Sequence, residues 1–149
     1  MEITVRQLKA LKAGKEQVSL FAMRFGRWAE VTLKNCRAAV KVGLNLSWMA
    51  AHLLPAPAGE RYERETAAAW KRFEQESAAA QKRCNQEVAV AAKARREQGI
   101  VTLIEARFEQ EIAAEERCKR EMMAAGARYD RATAAAFYRA AEWNGTTVK

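Results

Sequence analysis

The chain repeats itself from Tyr62 to Arg139. Tyr62 opens YERETAAAWKR, Phe73 opens FEQESAAAQKR and Cys84 opens CNQEVAVAAKA. Further on, Phe108 opens FEQEIAAEER, Cys118 opens CKREMMAAGAR and Tyr129 opens YDRATAAAFYR. Repeat positions one, five and eight form a stripe: Tyr62, Thr66, Ala69, Phe73, Ser77, Ala80, Cys84, Val88 and Ala91. Steps of four, three and four average about 3.67 residues per turn, close to a straight α-helix and slightly right-handed in supercoil tendency. Large rings alternate with small residues, so helices can approach closely while the rings fill the gaps. Arg and Glu recur four apart, as in Arg61–Glu65, Arg72–Glu76, Arg83–Glu87, Arg107–Glu111 and Arg117–Glu121. Pairs at this spacing add a few tenths of a kcal/mol each to a helix.

The repeat slips phase between Arg95 and Arg107, where thirteen residues stand in place of eleven. Gly99 and an apolar cluster (Ile100, Val101, Leu103, Ile104) lie there. A turn near Gln98–Gly99 is the reading we take, giving antiparallel helices over roughly 60–97 and 100–142, each about 60 Å long at 1.5 Å per residue. Such a turn sets Tyr62 opposite Ala136 and Phe137, and Phe73 opposite Ala125. A single rod of about 125 Å, dimerising through its stripe, is the other arrangement the repeat allows. Tyr62, Trp70, Phe73, Phe108, Tyr129 and Phe137 are assigned to helix–helix packing rather than to a ligand platform.

The segment before the repeat differs in charge. Residues 1–59 hold nine Lys or Arg against three Asp or Glu, whereas residues 60–143 hold sixteen against fifteen. The basic character of the chain, +8 in all, therefore belongs to the first third. Four short helices are expected there. The first occupies residues 1–13, with Thr4 as a cap, apolar Val5, Leu8 and Leu11, and a stop at Gly14. The second runs from Glu16 to Phe25 and ends at Gly26, and the third runs from Leu33 to Val42, capped by Thr32 and closed by Gly43. The fourth runs from Leu46 to Leu54. About fifty residues make a small core, so this module is expected to pack on the long helices. The organisation read from the sequence is a basic helical module at 1–54, a Pro/Gly linker at 55–59, the repeat helices at 60–143 and a polar tail at 144–149. The fold class is all-α.

The segments LKALKAG, FAMRFG, VTLKN and LSWMAAHLL resemble a small helical module of uncharacterised phage and prophage accessory proteins. In that module a Trp-Leu-Ala-like helix follows a Val-Thr-Leu turn, and Ala-rich Tyr/Glu/Arg repeats follow the module. The resemblance covers most of the chain and brings no catalytic residue with it. It implies a mobile-element accessory protein acting in the cytoplasm of a host cell.

Candidate chemistry is sparse. His52 is the single histidine and sits on a short amphipathic segment. Cys36, Cys84 and Cys118 form no CxxC or metal-ligand spacing and read as core thiols of a reducing compartment. The carboxylates recur at solvent positions beside Arg, and no Gly-rich phosphate loop is present. The start has no apolar signal-type run, and the stretch Leu44–Leu54 is too short and polar to span a bilayer. No catalytic residue, metal site, cofactor or membrane association is therefore expected.

The basic face is the informative surface: Arg6, Lys9, Lys12, Lys15, Arg24, Arg27, Lys34, Arg37 and Lys41. Lys34, Arg37 and Lys41 fall within about 60° of one another on a helical wheel. A merely solvated face, a phosphate-contacting face and a docking face for an acidic protein all fit this pattern. The leading reading is a non-catalytic accessory protein that binds and inhibits a host protein or ribonucleoprotein complex, as anti-CRISPR proteins do. A second is a nucleic-acid-binding protein using the basic module, with the repeat helices making a homodimer. A third is a virion or assembly component.

Overall fold

A computed structural model describes residues 1–97 and 104–143. The order is β1 (Glu2–Thr4), α1 (Val5–Ala10), α2 (Lys15–Phe25), β2 (Trp28–Glu30), α3 (Leu33–Lys41), α4 (Leu46–Leu53), α5 (Ala56–Glu97) and α6 (Ile104–Glu142). The class is all-α, with one short antiparallel strand pair. The turn expected at Gln98–Gly99, the side chains of the Ile100–Ile104 cluster and of Phe108, and the tail from Asn144 lie outside the described residues. The described residues fall into two compact units, one of residues 1–70 and 129–143, the other of residues 71–97 and 104–128.

In the first unit, local capping chemistry sets the helix starts. Thr4 Oγ1 accepts from the Gln7 amide at 3.1 Å, and Gln7 Oε1 accepts in return from the Thr4 amide at 2.8 Å, a closed capping box. Thr32 and Asn45 cap α3 and α4 in the same way, accepting from Asn35 and Trp48. Gly26 (φ 76°) and Gly43 (φ 79°) follow α2 and α3 in the left-handed region, as expected of helix stops. At α1 the expectation fails. The helix ends at Ala10, and Lys12 takes the left-handed conformation (φ 59°), while Gly14 is the N-cap of α2.

The first four residues also differ from the expected helix. Glu2–Thr4 pairs antiparallel with Trp28–Glu30, with Ile3 opposite Ala29. Strands of three residues are too short to show a period of two, so no sequence pattern announces them. The pairing buries Ile3 and leaves Trp28 exposed. The Pro55–Gly59 stretch, expected as a linker, is helical from Ala56 onward. Pro57 falls in the first turn, where a missing N–H costs nothing.

The core of this unit joins the short helices to the ends of the long ones. Ile3, Leu8, Phe21, Cys36, Leu44, Leu46, Met49 and Leu54 pack in one cluster with Ala58, Tyr62, Ala134, Ala136, Phe137 and Ala140. Tyr62 and Phe137 are each 1% exposed and meet edge-on, with ring centroids 6.0 Å apart. The Tyr62 hydroxyl hydrogen-bonds to Ser47 on α4 at 3.1 Å. Trp70 and Tyr129 repeat the edge-on contact at 5.3 Å.

In the second unit every residue of the stripe from Phe73 to Ala91 is at least half-buried on α5. On α6, Ala114, Cys118 and Ala125 are buried. Three pairs expected within a helix, Arg72–Glu76, Arg83–Glu87 and Arg117–Glu121, give way to bonds between helices, while the side chain of Arg107, expected to pair with Glu111, lies outside the described residues. Arg83 donates to Glu121 at 2.6 Å, Arg117 to Glu87 at 2.7 Å and Arg128 to Glu76 at 2.6 Å. In the first unit Arg139 donates to Glu65 through Nε at 3.0 Å, and Glu65 also keeps the expected local pair with Arg61. A neighbouring helix presents a guanidinium without the rotamers that an i, i+4 bridge demands, and Arg preceding Glu is the weaker local order.

Two expectations follow. Phe137→Ala should destabilise the chain by about 3–5 kcal/mol in a denaturant melt, because it empties a fully buried ring site. Burial pushes the Glu65 carboxyl up, but the hydrogen bonds from Arg139 and Arg61 outweigh it and hold the group below its usual range. Its contribution is therefore present at neutral pH and lost as pH falls through that depressed value. Since the pair is partly exposed, Glu65→Gln should cost about 1 kcal/mol or less at pH 7. The difference from wild type should shrink in acid.

Candidate basic docking groove

The nine cationic residues expected on the basic face are all exposed. The structure sorts them. Arg24, Lys34, Arg37 and Lys41 line one open groove between α2 and α3, together with Leu33, Ala38 and Val42. Arg6 and Lys9 lie on α1, Lys12 in the turn after it, Lys15 at the start of α2, and Arg27 just past its end. None of these five lines the groove.

The groove follows from local sequence. Lys34, Arg37 and Lys41 are three and four apart on α3, so one helix face carries them with rises of about 4.5 and 6 Å between neighbours. Thr32 fixes the start of that helix. The Asn35 amide nitrogen Nδ2 donates to the Glu30 carbonyl at 2.9 Å, tying α3 to β2. Gln17 on α2 donates to the Gly43 carbonyl at 3.3 Å and accepts from the Asn45 amide at 2.8 Å. These bonds hold α2 against the α3–α4 connection, and α2 brings Arg24 to the groove. Gln17 is a positioning residue that sequence reading missed; a polar residue facing a neighbouring loop leaves no periodic signal.

The electrostatics are one-sided. The lining holds four cations and no carboxylate, and its apolar members are half-buried Leu33 and Val42 and buried Ala38. A concave basic surface of this kind attracts anions and steers their approach. Arg can fork two hydrogen bonds onto one carboxylate or phosphate, whereas Lys acts as a mobile point charge.

Elsewhere the first unit has a partly open apolar crevice of about 30 Å³ lined by Ile3, Phe21, Cys36, Met49 and Phe137 among others. Sites for small organic ligands run to hundreds of Å³, so this void is a packing gap. Burial pushes the Cys36 thiol beside it up to about 11, which leaves it protonated and inert at neutral pH. His52 Nδ1 lies 2.8 Å from the Trp48 carbonyl, and its ring stacks on Trp48 at 4.2 Å. Among the described residues no three His, Cys, Asp or Glu side chains cluster as metal ligands, and no helix is long and apolar enough to cross a membrane. Of the packing aromatics, Tyr62 and Phe137 are buried and meet each other. Phe73 and Tyr129 are half-buried, and Trp70 keeps 46% of its surface exposed beside Tyr129.

Comparison with protein-family models, curated proteins and solved structures returned no match.

Substituting the groove cations singly with Gln should leave thermal stability almost unchanged, within about 0.5 kcal/mol. Gln17→Ala should lower it, because the Gly43–Asn45 loop loses two hydrogen bonds worth about 1 kcal/mol each.

Proposed function

We propose that this chain is a non-catalytic binding protein that docks an acidic segment of a partner macromolecule in the α2–α3 groove. The observation that carries this reading is the convergence of Arg24, Lys34, Arg37 and Lys41 with no carboxylate among the lining residues. The apolar floor of Leu33, Ala38 and Val42 favours an amphipathic protein segment, whose carboxylates meet the rim while its aliphatic groups cover the floor. In keeping with the phage-type resemblance, a host protein or ribonucleoprotein complex in the cytoplasm is the partner class placed first. Inhibition of a defence complex is the role that fits such a partner.

The repeat serves in this reading as a scaffold, an antiparallel hairpin of α5 and α6. Within each unit, contact numbers rise along α5 as they fall along α6: Tyr62 to Phe137 and Trp70 to Tyr129 in one, Glu76 to Arg128, Arg83 to Glu121 and Glu87 to Arg117 in the other. That order supports the hairpin over the single rod. Direct nucleic-acid binding is the second reading, favoured by the row of exposed cations on α3, which could each meet a phosphate.

Affinity purification of the tagged full chain from host extract tests the first reading. A partner retained by the wild type should be lost with the triple variant Lys34→Glu, Arg37→Glu, Lys41→Glu, at an unchanged melting temperature. Retention of the same partner by that variant would overturn the groove as the docking site. A salt-sensitive mobility shift with duplex or RNA at about 100 mM salt, abolished by the same variant, would move the assignment to the second reading.

A further inference from the structure

Cys84 and Cys118 open two separate lines of the repeat, yet they come together in the second unit. The Cys118 thiol lies close enough to the Cys84 thiol to perturb it. The Cys118 thiol also reaches the Ala80 carbonyl at 3.9 Å, one helical turn before Cys84. The residues around them are small: Ala80 and Ala114, each one turn before a cysteine, are almost fully buried. Small residues let two helix backbones approach closely. Two ion pairs bracket the site, Arg83–Glu121 and Arg117–Glu87, so each cysteine has a clamped neighbour. Cys118 is buried and Cys84 only half-buried, which gives the pair one accessible and one protected sulfur.

We propose that Cys84 and Cys118 form a dithiol modification site, at which a low-molecular-weight disulfide such as oxidised glutathione installs an intrachain cross-link between α5 and α6. Cys84 loses its proton to solvent, and the thiolate attacks one sulfur of glutathione disulfide. The glutathione S–S bond breaks, and one glutathione leaves as a thiolate that takes up a proton. Cys118, deprotonated in turn, attacks the Cys84 sulfur of the mixed disulfide and expels the second glutathione. Two protein thiols are oxidised and one glutathione disulfide is reduced to two thiols. Cys36, held in the other unit and shielded by the core, takes no part.

The surroundings set the rate. The neighbouring Cys118 thiol pushes the Cys84 thiol up, and burial and the Cys118, Glu115 and Glu87 charges push the same way. Glu87 lies on its own helix and is bonded to Arg117, whereas Glu115 and Cys118 face it from α6. Little thiolate therefore exists at neutral pH, and the reaction accelerates as pH rises.

The test incubates the full-length chain with oxidised glutathione in mildly alkaline buffer. The expected product is monomeric, about 2 Da lighter by loss of two hydrogens. It should yield a Cys84–Cys118 linked peptide on digestion, keep one alkylatable thiol (Cys36) once unfolded, and melt at a higher temperature than the reduced chain. Cys118→Ser should stop at the glutathione adduct on Cys84, and Cys84→Ser should leave Cys118 unmodified. Three free thiols after prolonged treatment, a link through Cys36, or disulfides only between chains would each overturn the proposal. These outcomes are read by mass on the wild type alone, so a variant that folds poorly does not obscure them.

Discussion

The edge-on contact of Tyr62 and Phe137 is the interaction on which the first unit depends. Each ring is almost wholly buried. Tyr62 comes from the second turn of α5 and reaches α4 through its hydroxyl and Ser47. Phe137 comes from near the end of α6 and lines the same apolar space as Cys36, Leu44 and Met49. Four short helices of about fifty residues bury too little surface to hold a fold alone. Docked around two rings anchored on long helices, they share one core. The basic groove is a consequence of that arrangement, since α3 packs Cys36 and Ala39 into the core and leaves Lys34, Arg37 and Lys41 exposed.

Much of this was legible in the residues. Thr4, Thr32, Gly26 and Gly43 mark helix ends because capping and left-handed stops are local chemistry, independent of tertiary context. The stripe of positions one, five and eight is at least half-buried along α5 because periodicity reports directly which face a helix hides. Ala38 and Leu33, by contrast, become groove residues only through the neighbouring helix.

The misreadings each have a physical origin. The strands Glu2–Thr4 and Trp28–Glu30 are too short for a pattern and exist because each completes the other. Lys12 stops α1 although Gly14 was available. Pro55 and Pro57 read as punctuation, but a proline in the first turn of a helix starts it. The Arg–Glu spacing suggested bridges within a helix, whereas a second helix at close range offers the same carboxylates a better partner. For the strands and the ion pairs, a contact distant in sequence decided between two locally acceptable choices. The same holds for the candidate site: the α3 row of cations was readable, but the part played by Arg24 and the tether through Gln17 were not.

The crossed ion pairs carry a cost in information. Because Glu65, Glu76 and Glu87 recur every eleven residues, and Arg117, Arg128 and Arg139 do likewise, displacing one helix by a whole repeat would still match acid to base. Charge alone thus defines a ladder of near-equivalent alignments rather than a single one. The degeneracy is lifted by what does not recur: a Tyr–Phe contact at one place, a Trp–Tyr contact at another, and a facing pair of thiols at a third. The departures from the repeat, more than the repeat itself, tell the two helices where to stop sliding.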